Sequence, residues 1–181
     1  MKSIVVFVAL PSEFQLDHPN INVVYTGVGK VNAAIMATKT LPIYDPEDTL
    51  VYNYGSAGSK KLVKNLLYKC TKFEQFDMDA RPLVESIGIT PYDEEIYPYI
   101  PNLIEFDEAK SGYLCSTADK FQENPSAHIV DMEAYSIAKV CKIFGFEFAA
   151  YKFVSDDGNA DEWKQNHMSG ADLFMEVLNG S

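Results

Sequence analysis

The chain has 181 residues, a formal net charge of -11, 47% hydrophobic and 23% charged residues, an ordinary composition for one compact domain (1–181) able to bury a substantial core. The acidic balance argues against nucleic-acid binding, since nothing resembling a basic patch can displace counterions from phosphates, and Arg81 is the sole arginine. No apolar run approaches the roughly 18 residues of a membrane span. The start MKSIVVFVAL leads into a strand without a small-residue cleavage site, so a cytoplasmic protein without membrane attachment is expected.

Cys70, Cys115 and Cys141 are odd in number, lie in apolar surroundings and lack metal-ligand spacing, which points to buried thiols rather than disulfides or zinc. His18, His128 and His167 are far apart in sequence, so neither a metal site nor a histidine-based triad is expected, and no cofactor is called for.

In chain order, Ser3 to Leu10 is a continuous apolar, β-branched run that reads as a buried strand, with PSEF as its exit loop, which puts Glu13 near the carboxyl edge of a sheet. An exposed loop acid is the ordinary reading of such a residue. Asn22 to Thr26 is a second strand, and Gly27-Val28-Gly29-Lys30 opens the helix VNAAIMATKTL. This glycine turn fails both common nucleotide fingerprints, because position 32 is Asn and Lys30 is followed by Val; what remains is a tight turn where backbone can approach a ligand or a strand.

Thr49 to Tyr54 is the next strand, followed by the small-residue loop Gly55-Ser56-Ala57-Gly58-Ser59, whose amides could face a ligand or simply connect two elements. Leu66 to Cys70 makes a further strand. Val84 to Glu108, rich in prolines and acids, lacks periodicity and reads as a loop with short irregular pieces. Gly112 to Thr117 is another strand, and Ala118 to Phe121 starts the connection toward Asp131.

The stretch from Asp131 to Asp156 reads as helix, turn and strand. Asp131 and Glu133 put negative charge in the first helical turn, Ala134, Tyr135, Ala138, Cys141 and Phe144 recur at helical spacing, and Gly145 is the stop. Glu133 has Ser136 and Ile137 three and four residues on, so its own helix offers it no cation. Phe148 to Val154 is an apolar strand interrupted by Lys152, and Asp156 lies just beyond its carboxyl end, where open α/β sheets bind ligands. Both acids also have plain structural readings, as a helix-dipole partner and a helix cap. Asp161 to Leu178 is a closing amphipathic helix in which Trp163, Met168, Leu173, Phe174 and Val177 could pack down. The alternation predicts an α/β single domain with a central, mostly parallel twisted sheet flanked by helices.

An ordered set of motifs resembles the nucleoside phosphorylase and nucleosidase superfamily, most closely its methylthioadenosine/S-adenosylhomocysteine nucleosidase branch. The set is ALPSE (Ala9 to Glu13), TGVGKVNAA (Thr26 to Ala34), NYGSAGS (Asn53 to Ser59), DMEA (Asp131 to Ala134) and VSD (Val154 to Asp156). The likeness spans nearly the whole chain. It departs from typical members in the shortened Val84 to Glu108 region and in FDMDARPL, parts that in the family shape the 5′ side of the pocket and the dimer contact.

The resemblance implies hydrolysis of an N-glycosidic bond in a purine nucleoside. Asp156 would be the general acid at purine N7, which requires a protonated carboxyl near neutral pH, and Glu13 the base that takes a proton from the attacking water. Glu133 would accept hydrogen bonds from the ribose hydroxyls, Met132 would pack on the sugar and Phe121 would stack on the base. Ser56, Ala57 and Gly58 would line the sugar and water side, with Ser155 beside the acid, and Leu10 and Trp163 would border the 5′ substituent. For Phe121 and Met132 taken alone, core packing is the ordinary alternative. The resemblance also implies a homodimer. A phosphate-dependent phosphorylase is disfavoured because those enzymes hold the anion largely with arginines and this chain has only Arg81. A non-catalytic nucleoside binder would need neither Glu13 nor Asp156.

Overall fold

The apolar N-terminal run forms β1 (Ser3–Val8), in which Val5, Val6, Phe7 and Val8 are wholly buried. It is hydrogen-bonded along both edges, parallel to β2 (Ile21–Tyr25) on one side and to β3 (Thr49–Gly58) on the other. Side chains alternate across the strand: Val5 and Phe7 enter one apolar cluster, Ile4, Val6 and Val8 another. That two-faced burial is why the run is continuously apolar. The structure, a computed structural model, describes residues 2–106, 112–121 and 127–180.

Helix α1 (Lys30–Thr40) crosses from β2 to β3 and buries only Ala33 and Ala37, small residues one turn apart that let the helix lie close. Beyond β3 come β4 (Leu67–Gln75), the one-turn α2 (Asp93–Ile96), β5 (Ile104–Glu105), β6 (Tyr113–Thr117) and β7 (Ile129–Asp131). They are followed by α3 (Ala134–Phe144), β8 (Phe148–Asp156), α4 (Ala160–Asn166) and α5 (Ala171–Asn179).

The sheet is mixed, with parallel pairings between β1 and β2, β1 and β3, β3 and β8, β4 and β6, and β6 and β7 and antiparallel ones elsewhere, and rather than lying open it closes on itself. The first half of β4 pairs antiparallel with β8, and its second half pairs parallel with β6. Strand β6 runs parallel to β7, β7 meets β3 antiparallel at Gly58 and Val130, and β3 runs parallel to β8. The chain β3, β8, β4, β6, β7 is therefore a ring, with β1 and β2 extending it from β3 and β5 hanging antiparallel on β4. The register shift between Cys70 and Lys72 marks where β4 passes from one neighbour to the other.

Other sequence expectations change with this frame. Gly55 to Gly58 is not a loop but the last part of β3, so only Ser59 lies outside the strand. Asp131 does not start the helix: it ends β7, a short strand hidden in the sequence by its length, and Glu133 occupies the N-cap position of α3 without capping it. Asp156 is the final residue of β8 rather than a residue beyond it, and α4 is capped instead by Asn159, whose side chain accepts the amides of Asp161 and Glu162. The expected single closing helix is two. At the break Gly170 is pressed on Phe153, where a β-carbon would come within 2.5 Å of the ring, and only glycine permits that approach. Of the five residues expected to pack down there, Phe174 is buried, stacking on Tyr54 at 4.6 Å, while Met168 is exposed.

The segment from Val84 to Phe106 is irregular apart from α2 and β5, and Asp107 and Glu108 of the expected loop lie outside the described residues, as does the connection from 122 to 126. Cys70, Cys115 and Cys141 are free and buried. Among the described residues, no helix is long and apolar enough to cross a membrane, and no group of three or more His, Cys, Asp or Glu could hold a metal ion.

Candidate active site

Strands β1, β3 and β8 run parallel, so their carboxyl ends reach one rim, and there they border a cavity of about 170 Å³. Leu10, Glu13, Ser56, Ala57, Gly58, Phe121, Met132, Glu133 and Asp156 all line it, together with Trp163. Ser155 alone of the expected residues does not. It is fully buried behind the wall, where its hydroxyl donates to Asp156 Oδ2 at 2.7 Å. Phe121 stands at the mouth, half exposed.

Glu13 is not an exposed loop acid: it keeps 4% of its surface. The turn after β1 folds it back, so Oε2 accepts the Leu10 amide at 3.2 Å, and Oε1 accepts both the amide and the hydroxyl of Ser56, at 2.9 and 2.7 Å. The small residues at the end of β3 lie close against the acids, most tightly at Gly58. A β-carbon on Gly55 would lie 3.6 Å from Glu13 Oε1 and 3.7 Å from Lys152 Nζ; one on Gly58 would lie 3.2 Å from Asp156 Oδ1. The acids occupy the space that larger side chains would fill. Asp156 is 1% exposed and also accepts the Gly158 amide at 2.8 Å.

The third acid is held from the glycine turn. Gly29, at a φ of 98° that side-chain-bearing residues rarely adopt, aims its amide at Glu133 Oε1 at 3.0 Å. The next amide, that of Lys30, goes to Asp119 Oδ1 at 2.8 Å, and Lys30 Nζ pairs with Asp77 at 2.5 Å. The turn is thus anchored on the segment that leads to Phe121. Burial pushes the Glu133 carboxyl up, and the neighbouring Asp131 charge adds to the effect, so that it titrates at about 7.

Sequence reasoning missed how Lys152 and Asp131 are used. Lys152, which interrupts the apolar run of β8, keeps 1% of its surface and pairs with Asp131 Oδ2 at 2.7 Å. Asp131 also accepts the Thr117 hydroxyl at 2.6 Å and the amide of Ala134 at 2.8 Å. A lysine inside a buried strand was the available signal, since such a charge must find a partner. Val28, Lys120 and Val130, which complete much of the lining, had no such mark.

The fold and the cavity define a class of protein: a closed mixed sheet that gathers buried carboxyls from three strand ends around one small pocket. No family model matches the chain. It is 30% identical over 158 residues to the 5′-methylthioadenosine/S-adenosylhomocysteine nucleosidase of Staphylococcus saprophyticus, covering 75% of this chain and 68% of that one. The chain belongs to the 5′-methylthioadenosine/S-adenosylhomocysteine nucleosidase family. Its fold matches the Helicobacter pylori enzyme of that name, solved in complex with a pyrrolopyrimidine-bearing pyrrolidinol, with a TM-score of 0.80 at 19% identity and 99% of each chain covered. It also matches the futalosine hydrolase of Helicobacter pylori, with a TM-score of 0.79 at 19% identity, covering 98% of this chain and 96% of that one.

Proposed function

We propose that the chain hydrolyses the N-glycosidic bond of a purine nucleoside, with 5′-methylthioadenosine, S-adenosylhomocysteine or a relative as substrate. The observation that carries this reading is the facing of Glu13 and Asp156, both almost wholly buried, onto one cavity from different strand ends. A leaving purine needs a proton and the attacking water must lose one; one carboxyl on each side of a sugar serves both needs. Asp156 protonates the base at N7, Glu13 takes the proton of the water, and Glu133 accepts the ribose hydroxyls. Met132 and Phe121 pack on sugar and base, while Ser56, Ala57 and Gly58 leave room for the water. Ser155 orients the acid, and Leu10 and Trp163 border the 5′ group.

Water is favoured over phosphate as nucleophile. Arg81 is paired with Asp79 at 2.6 Å on the surface, and Lys120 is the one cationic side chain among the described residues of the lining, which also presents Glu13, Asp131, Glu133 and Asp156. With Asp156 protonated as the acid and Asp131 neutralised by Lys152, the ionised base Glu13 opposes an anion there and Lys120 alone is left to hold it. The same reading takes 1–181 as a single domain of a cytoplasmic homodimer, for which light scattering on the purified protein is the check.

Purified protein should release free base from a panel of methylthioadenosine, adenosylhomocysteine, futalosine and plain purine nucleosides without added phosphate. Strict phosphate dependence would make it a phosphorylase, and no release from any substrate would make it a binder. Asp156→Asn should lose nearly all turnover while ligand binding persists; normal turnover would remove Asp156 as the acid.

A further inference from the structure

The two oxygens of Glu13 are not equivalent. Oε1 accepts two donors from Ser56, its amide at 2.9 Å and its hydroxyl at 2.7 Å, whereas Oε2 accepts the Leu10 amide at 3.2 Å. From α4, the Trp163 indole N–H donates to the same Ser56 Oγ at 2.9 Å. An indole N–H can only donate. Ser56 Oγ therefore accepts on that side, and its single proton is left for Glu13. The direction of both bonds follows from chemistry alone.

The indole is itself held in place. It stacks on His167 with ring centroids 4.5 Å apart and 20° between planes. Helix α4 is tied to the end of β8 by the Asn166 side chain, which donates to the Ser155 carbonyl at 3.1 Å, and to Lys64 through Glu162 at 2.6 Å. Helix α4, whose Trp163 lines the same cavity as Asp156, thus also fixes a hydroxyl against Glu13.

We propose that Trp163 is a positioning residue for the hydrolytic base: by locking Ser56 as a donor into Glu13 Oε1, it leaves Oε2 as the atom that takes the proton of the attacking water. This rests on the hydrolase reading. In that step the water oxygen forms the bond to the anomeric carbon and one water O–H bond breaks, its proton passing to Oε2. The glycosidic electron pair leaves with the purine, which receives a proton from Asp156. Without the indole, the Ser56 hydroxyl can turn and accept from the water or from a protonated Glu13, and the distinction between the two oxygens is lost.

The test is a cycle of Trp163→Phe, Ser56→Ala and the double variant in phosphate-free base release, with thermal melting to establish that each is folded. Trp163→Phe keeps an aromatic ring against His167 but removes the indole N–H together with part of the ring, so the comparison in the Ser56→Ala background is what isolates the donor. The relay requires that it lower kcat by about tenfold, the scale of one lost hydrogen bond, with KM within about twofold, and that it have no further effect once Ser56 is Ala. A raised KM with unchanged kcat, or a Trp163→Phe effect of the same size in the Ser56→Ala background, would overturn the proposal, because the effect of the indole would then not pass through Ser56. No base release by the wild-type protein would overturn the hydrolase reading instead. Trp163 is the single tryptophan, so its indole N–H gives one NMR signal; Ser56→Ala must move that signal, and an unmoved signal would show the bond to be absent.

Discussion

Asp131 and Glu133 stand two residues apart with nearly equal burial, 5% and 7% exposed, and the fold treats them in opposite ways. Burial pushes both carboxyls up. For Asp131 the charge of Lys152, the Thr117 hydroxyl and the Ala134 amide more than offset it, and the group is held below the usual carboxylate range. Glu133 has the Gly29 amide on Oε1 and the Asp131 charge close by, and it rises to about 7. Lys152 is correspondingly raised: burial works against its charge, but Asp131 beside it more than offsets that. One acid is thereby committed to joining β7, β8 and the start of α3, while the other is left short of partners beside a cavity, ready for hydroxyls that a ligand would bring.

Removing the charge of Asp131 should break this contrast most severely. Asp131→Asn keeps the shape but leaves Lys152, 1% exposed, without its carboxylate, and breaking a buried pair in this way costs about 3–5 kcal/mol. Urea denaturation should show that loss. Glu133 would become the remaining neighbouring acid for Lys152 and should ionise more readily, so the pH dependence of substrate capture should move to lower pH. A loss of stability under about 1 kcal/mol would mean that Lys152 is served equally well by Glu133, and the division of labour between the two acids would fall.

Glu133→Gln tests the other half. If Glu133 accepts the ribose hydroxyls as proposed, removing its charge should lower kcat/KM about 10- to 100-fold. In the wild type, kcat/KM should rise with pH through about 7 as the carboxylate forms; the variant should lack that limb. Stability should move the opposite way. A carboxyl raised from 4.5 to about 7 on folding binds its proton more tightly in the folded chain, so stability is lost as pH rises through that window, and the deficit is complete above it. Its upper limit is about 3 kcal/mol. The variant should therefore melt higher than wild type at pH 8 and equally at pH 4; a variant less stable at pH 8 would show that the ionised Glu133 is well compensated.

Much of the site was legible in the sequence because the acids sit in motifs tied to strand ends, and strand ends are visible as the limits of β-branched runs. Glu13, Ser56, Glu133 and Asp156 meet at one cavity as their order suggested. Long-range pairing was not legible. The return of β4 to β8 and the closing contact between Gly58 and Val130 are choices of partner, and periodicity carries no information about partner or direction. Strand β7 has only Ile129, Val130 and Asp131, too short for any period to register, so its acid was read as the start of the following helix. The small residues of β3 looked like a loop for a related reason: they lie against Glu13, Lys152 and Asp156, most tightly where Gly58 meets Asp156, and these are contacts between distant segments.

Thr117 offers the mildest probe of the contrast. Its hydroxyl, wholly buried, donates to Asp131 Oδ1 at 2.6 Å and accepts the Tyr135 amide at 2.9 Å, so it joins β6 to both the acid and the first turn of α3. Thr117→Val preserves the volume and leaves that amide unmatched, which costs about 1–3 kcal/mol, or roughly 2–4 °C of melting temperature per kcal/mol in a chain of this size. Asp131 keeps Lys152 and the Ala134 amide and should remain ionised, and no hydrogen bond joins Thr117 to Glu133 among the described residues. The melting temperature should therefore fall while the pH limb of kcat/KM near 7 stays where it is. A limb that moved with Thr117→Val would mean that the two acids titrate as one unit, and that the separation of a structural carboxylate from a ligand-facing one is carried by the whole network rather than by Lys152.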